Sequence, residues 1–428
     1  MAKSPAIDIK IHVPVLMYHS VSDNQQWLWG NLSCPVGVFE DHVRALVNHN
    51  FTTISLQHLY DHLAHDAPLP PNPIVLTFDD GYLDNWVYAY PILKRYGCEG
   101  TIFINPDFVD PRDTRRLNSD DAAAGRGAAR DLETTGFLSW TELAEMESAG
   151  VMDVQSHTIT HTWYFNDHHI VDFHHPQDGY PWLAWNAKPE RKYLWLNEDQ
   201  SSFVPFGTPI YTYRKSLLAR RYFPDPKLAD FLIRQVEARG GPALFQERGW
   251  RPRLFQWVRH YRSRHQLEES WESEEAYQAR VRYELGASKE IIEARLQKKV
   301  NFVCWPGGGY NDLTVRIAKE VGYLSMVHAP GGKQPKQDAR HTPRLPVPTL
   351  ARGKTRTPYR SGRYLVYRLR CHQGASVYCL GCKVLSGYKL PLFWIEEAIQ
   401  SADGGDAGWL IKPPLAKQPN RGRKEGWG

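Results

Sequence analysis

The feature that most constrains the fold is the run Ile74-Val75-Leu76-Thr77-Phe78, closed by Asp79-Asp80-Gly81. Pro71 and Pro73 bound it on one side and a glycine on the other, so it reads as a short strand buried on both faces. Strands of that kind belong to parallel sheets covered by helices, and such folds place their chemistry on the loops that leave the strand ends. Two adjacent carboxylates at such an end repel one another, and the pair calls for a cation or a shared proton.

The flanking sequence repeats the pattern. Val13 to Tyr18 reads as a first strand, Val38 to Asn50 and Leu56 to Leu63 as helices with Phe51 to Ile54 a short β run between them, and Leu83 to Tyr96 as a helix stopped by Gly97. Gly100 to Ile104 completes a βαβ unit. Residues 110–136 carry no period and read as a surface loop. Ser139 and Glu142 form a capping box that opens a helix ending at Gly150, followed by a strand over Val151 to Gln155. The alternation resumes with a helix from Ser288 to Lys299, a strand from Val300 to Trp305, a helix from Leu313 to Val321 and a strand from Tyr323 to Val327. Between lies a stretch with Trp182, Trp185, Trp195, Trp250, Trp257 and Trp271, several prolines, and helical spacing near 215–239 and 253–266. The expectation is an α/β barrel over 12–163 and 272–350, a partly helical insertion or lid over 164–271, and a basic extension over 351–428 whose end is disordered.

Charge supports that last division. The chain is only +5 overall, yet Arg340 to Gly428 holds sixteen basic side chains against five acidic ones. Arg352, Lys354, Arg356, Arg360, Arg363, Arg368 and Arg370, interleaved with Tyr359, Tyr364 and Tyr367, suit an anionic membrane surface or a phosphate. No nucleic-acid-binding fold accompanies them, so no nucleic acid is expected. Met1 to Ser20 shows no apolar segment with a small-residue cleavage site, and no run approaches a membrane span. The six cysteines are too sparse for a disulfide scaffold. The expected location is the cytoplasm, peripheral to the inner membrane face. Cys371-His372 with Cys379 and Cys382 has the donors of a small zinc knuckle, while Asp167-His168-His169, Asp172 and His174-His175 lack regular spacing and read as a polar loop.

His157 and His161 supply what the aspartates call for. They are four residues apart and follow a strand end, as Asp79 and Asp80 do. Two imidazoles and one carboxylate make a ligand set that leaves positions open for water and substrate. One aspartate then joins the histidines and the other is free to take a proton from the attacking water.

Thr77-Phe78-Asp79-Asp80-Gly81 and His157-Thr158-Ile159-Thr160-His161 resemble the first two motifs of the polysaccharide deacetylase family, carbohydrate esterase family 4. Trp305-Pro306-Gly307-Gly308-Gly309-Tyr310-Asn311 is similar to the third, and Pro14-Val15-Leu16-Met17-Tyr18-His19 resembles the opening of the branch acting on poly-N-acetylglucosamine. The resemblance implies a distorted (β/α) barrel holding one divalent metal, Zn²⁺ with Co²⁺ or Ni²⁺ as alternatives, through Asp80, His157 and His161. It implies Asp79 as general base, the Tyr82 backbone N–H beside the metal as oxyanion donor, and an acetate pocket lined by Pro306, Gly308 and Tyr310. The implied reaction is removal of an N-acetyl group from an amino sugar of a cytoplasmic or lipid-linked glycan intermediate. A deformylase of a formamido-sugar, and a catalytically weak glycan-binding homologue, are the alternatives. Two features depart from the family. Phe302-Val303-Cys304-Trp305 contains no arginine to orient the base, and no Leu-x-x-His supplies the acid; His328 is the tentative acid, with His341 and His19 behind it, and Arg344 stands roughly where related branches carry an arginine.

Overall fold

The computed structural model describes residues 12–24, 32–329, 335–347 and 359–373. Its centre is a sheet whose strands run in the order His341–Pro343, Ser325–His328, Phe302–Cys304, Met152–Ser156, Gly100–Ile104, Pro73–Phe78, Val15–Tyr18 and Leu345–Pro346. Every pairing along that path is parallel. The two edges are a single stretch of chain. His341–Pro343 pairs with Ser325–His328, and two residues later Leu345–Pro346 pairs with Val15–Tyr18. The segment 341–346 therefore closes the sheet into a barrel, and Arg344 sits at the closure. The fold is the expected distorted (β/α) barrel.

Local chemistry explains most of the elements. Pro73–Phe78 is buried at every position, as an apolar run in an all-parallel sheet must be. Ser139 and Glu142 cap the Trp140–Ser148 helix reciprocally, Asn311 and Thr314 cap Asp312–Val321, and Gly97 ends Tyr90–Tyr96 in the left-handed conformation. The helix read over 83–96 is π-helical through Asn85–Ala89 and α-helical only from Tyr90. Pro91 has no N–H for the carbonyl four residues back, and the wider turn absorbs that loss.

Three expectations need correcting. Residues 110–136 are anchored, since the nearly buried Arg116 guanidinium pairs with Glu142 at 2.7 Å and bonds the Phe137 carbonyl. Helix 288–299 begins much earlier, at Glu274 on a Ser273 cap, and ends at Leu296 with Gln297 left-handed; Gly286 lies within it. Of the helical spacing near 215–239, Tyr222–Phe223 is a short strand paired with Ser270–Trp271 and the helix is Pro226–Glu237 on an Asp225 cap; just before it, Pro209–Lys215 pairs antiparallel with Trp163–Phe173. Ile210, Tyr211, Thr212 and Tyr213 are β-branched and aromatic, which the pleat favours. A separate apolar cluster, including Phe173, Tyr211, Leu232, Leu254 and Val258, lies under this insertion.

The basic extension also holds order that its composition hid. Tyr359–His372 is a helix with Leu365, Val366 and Leu369 buried among its arginines. It joins the same core as Val38, Phe39 and Val43 of helix Val36–Asn48, and the Gly362 N–H donates to the Asp41 carboxylate at 2.7 Å. Arg370 donates to Asn72 at 2.7 Å, so it is a packing residue as well as a charge. Arg352, Lys354, Arg356, Cys379, Cys382 and the end read as disordered lie outside the described residues. Cys371 is disulfide-bonded and the His372 ring bonds His12, so neither is a free ligand for the suggested knuckle.

Candidate metal and hydrolytic site

The barrel brings the carboxyl ends of its strands together, and with them the residues singled out by their chemistry. Asp79 and Asp80 follow Phe78, Asn105 follows Ile104, His157 follows Ser156, and Arg344 closes the ring. The loops there are strained. Asp80, Thr158 and His161 have φ of 72°, 63° and 41°, and Gly81 follows Asp80 at 70°. A β-branched threonine in the left-handed region is a genuine outlier, and such strain persists only where surroundings over-determine it. Here the Thr158 N–H donates to Ser156 Oγ at 3.1 Å, and Asn105 Nδ2 donates to the His157 and Thr158 carbonyls.

Asp80, His157 and His161 each offer a ligand atom, all within 4.8 Å of one another. His157 Nε2 lies 3.3 Å and His161 Nε2 3.5 Å from Asp80 Oδ1. A tetrahedral zinc with bonds near 2.0–2.1 Å has ligand–ligand edges of about 3.4 Å, so the set fits such an ion. The His157 Nδ1–H donates to the Cys304 carbonyl at 2.9 Å, which turns Nε2 toward Asp80; burial would lower the His157 pKa, but Cys304, the hydrogen bond to Asp80 and the Asp79 charge raise it well above the ordinary imidazole value. Burial disfavours the Asp80 charge, but hydrogen bonding to His157 and the nearby His161 hold its carboxyl well below the ordinary range. Burial lowers His161 to about 4, against the pull of Asp80, leaving a neutral imidazole.

Asp79 is held differently. Its two oxygens accept from Arg344 Nη1 at 2.6 Å and Nη2 at 2.8 Å, and both residues are almost fully buried. The same guanidinium bonds the His328 carbonyl, Thr77 Oγ1 and Cys304 Sγ. Burial would push the Asp79 carboxyl up; the Arg344 charge and its hydrogen bonds outweigh that and hold it below the usual value. Asp79, His157 and Cys304 also lie close enough to suggest a second metal set. Arg344 already supplies the cation there. The missing orienting arginine is therefore present, 265 residues after its partner, and only the closing of the barrel brings it home.

The cavity at this site is lined by His19, Tyr82, Phe108, Phe137, Trp163, Trp185 and Trp195 together with Asp80, His157 and His161. Of the third motif, Gly307 reaches the cavity wall. Pro306 is buried, Gly308 is left-handed with Ala329 against it, and the Tyr310 ring sits between Trp305 and His328. His328, the expected acid, stands apart from the cavity. Its ring is edge-on to Tyr310 and bonded to His341 at 3.1 Å, and burial with the His341 and Arg344 charges brings it down to about 4. Of the candidate acids, His19 is the one that lines the cavity, with Nε2 3.8 Å from Asp79 Oδ2. Of the second histidine cluster, His174 bonds Asp178 at 2.5 Å and the Ser201 carbonyl, and Asp172 pairs with Arg251; these are structural pairs.

Residues 66–194 and 259–326 match the sequence pattern of the polysaccharide deacetylase family. Over those segments the chain carries a polysaccharide deacetylase domain. The Bacillus subtilis (strain 168) protein YxkH, named for the same family, is 29% identical over 149 residues, 35% of this chain and 43% of YxkH. The chain thus spans less than half of that relative's length. Among solved structures, a de-N-acetylase from Aggregatibacter actinomycetemcomitans is 19% identical with a TM-score of 0.48, over 78% of this chain and 94% of that one. The BpsB deacetylase domain from Bordetella bronchiseptica is 19% identical with a TM-score of 0.45, over 78% and 95%. IcaB from Ammonifex degensii is 15% identical with a TM-score of 0.44, over 79% and 92%.

Proposed function

We propose that the chain is a metal-dependent hydrolase that removes the N-acetyl group from an amino sugar of a glycan. The observation that carries this is the division of the adjacent aspartates: Asp80 faces two imidazole nitrogens, and Asp79 is fixed by Arg344. In this reading Asp80, His157 and His161 hold one divalent ion, Zn²⁺ by the fit of donor type and spacing. Such an ion supplies Lewis acidity toward the acyl oxygen and a lowered pKa for water.

The rest falls to the chain's own groups. Asp79, charged and locked in one orientation by two hydrogen bonds, accepts the proton of the attacking water. His19, 3.8 Å from Asp79 and in the cavity wall, is placed to pass a proton to the leaving nitrogen. The Tyr82 backbone N–H is the oxyanion donor. Trp163, Trp185 and Trp195 offer apolar faces to a sugar ring and keep bulk water from the reacting atoms.

We further propose a lipid-linked or cytoplasmic glycan precursor as the substrate, with the basic C-terminal stretch resting on an anionic membrane. The support is the charge excess after Arg340. No helix among the described residues is long and apolar enough to cross a membrane.

The test is amine release from N-acetylglucosamine oligomers by the full chain, with N-formyl analogues in parallel. Release of the acetyl group, lost with chelator and regained with Zn²⁺, is the expected outcome. Activity confined to formyl substrates would move the assignment to a deformylase. Tight glycan binding without turnover of either would leave a binding protein.

A further inference from the structure

Thr160 lies between the two histidines, inside the strained loop, and all of its polar groups are held. Its N–H donates to Glu284 Oε2 at 3.1 Å, its hydroxyl donates to Glu284 Oε1 at 2.5 Å, and its carbonyl accepts from Lys192 Nζ at 3.0 Å. The two partners come from distant parts of the chain: Glu284 from the long helix Glu274–Leu296, Lys192 from the Pro189–Leu194 turn after the Trp182–Ala187 helix. Both are 1% exposed. Lys192 also pairs with Asp107 at 2.8 Å, which balances its charge. A buried lysine and a buried glutamate are costly unless each finds partners, and both find them on this one loop residue.

We propose that Glu284 and Lys192 are positioning residues that clamp Thr160, and so fix His161 in its left-handed conformation with Nε2 toward Asp80. His161 is the next residue after Thr160, so the clamped carbonyl carbon is the first of the four atoms that define its φ. With φ at 41° it lies outside the preferred backbone regions, and the clamp is the local structure that holds it there. The insertion then does more than roof the cavity. Through Lys192 it sets the spacing of the metal ligands, as outer-shell partners do elsewhere. This rests on the metal reading of Asp80, His157 and His161.

The experiment measures Zn²⁺ affinity of the full chain by competition with a chromogenic chelator, for wild type, Lys192→Met, Glu284→Leu and Thr160→Val. Near-UV circular dichroism and thermal unfolding of the metal-free proteins report folding separately. The clamp predicts Zn²⁺ dissociation constants raised by about tenfold or more in Lys192→Met and Glu284→Leu, the scale of outer-shell substitutions. Thr160→Val, which loses only the hydroxyl contact, should show a smaller rise, and Glu284→Gln should recover part of the affinity. Wild-type affinity in folded Lys192→Met and Thr160→Val would overturn the proposal, whether or not Glu284→Leu folds. His161→Ala separates the two readings: if it binds Zn²⁺ as wild type does, the metal reading fails and not the clamp alone.

Discussion

Replacing Arg344 by Met tests the reasoning about Asp79 most fully. The variant keeps side-chain length and removes the guanidinium that bonds both carboxylate oxygens at 2.6 and 2.8 Å. Breaking a buried ion pair from one side costs about 3–5 kcal/mol. Charge centres about 4 Å apart in surroundings of effective dielectric about 20 give about 4 kcal/mol, the same scale. The sign with pH follows from the depressed native pKa of Asp79. Its stabilising contribution is present above the unfolded value of about 3.9 and is lost as pH falls through the native one. In the variant, only the His157 and His19 charges oppose burial, and the Asp79 pKa moves up instead. The stability gap between wild type and Arg344→Met should therefore be widest near neutral pH and narrow as pH falls toward about 4. Urea unfolding of both proteins at the two pH values measures it. Asp79→Asn in the Arg344→Met background should recover part of the loss, because the uncompensated charge is gone. A loss under about 1 kcal/mol, or a gap that does not change with pH, would refute the argument.

Three further outcomes follow from the same structure. Asp79→Asn should lose amine release by a factor of about 10²–10⁴, the usual worth of a general base, while Zn²⁺ binding measured by calorimetry persists. Gly362→Ala should destabilise the chain by about 1–3 kcal/mol in thermal unfolding, since the added Cβ would run into the Asp41 carbonyl oxygen and lie 2.6 Å from Ala45 Cβ; an unchanged melting temperature would mean that the Tyr359–His372 helix does not dock there. Replacing Arg352, Lys354 and Arg356 together by Gln should weaken co-sedimentation with anionic vesicles, and equal binding would remove the membrane proposal.

The sequence made some of this legible and hid the rest for identifiable reasons. Asp79, Asp80, His157 and His161 could be picked out because each lies within a few residues of a strand that announces itself by its apolar run. Buried parallel strands leave a local signal, and local caps such as Ser139–Glu142 leave another. Arg344 left none. Its partner is distant in sequence, its neighbours form two very short strands, and its role exists only because residues 341–346 join both edges of the sheet. Thr160, Glu284 and Lys192 are equally silent, since a clamp built from three segments has no period. His328 misled because it also follows a strand end; its side chain turns toward Tyr310 and His341. The Tyr359–His372 helix was obscured by arginines around a narrow apolar stripe at 365, 366 and 369.

The central claim is that the metal belongs to Asp80, His157 and His161, with Asp79 reserved as base. X-ray absorption of the zinc-loaded protein tests it directly, because the competing cluster of Asp79, His157 and Cys304 contains a thiol. The account predicts a first shell of nitrogen and oxygen only, near 2.0–2.1 Å, with the scattering pattern of two imidazoles. A sulfur neighbour near 2.3 Å would place the ion on Cys304 and contradict it.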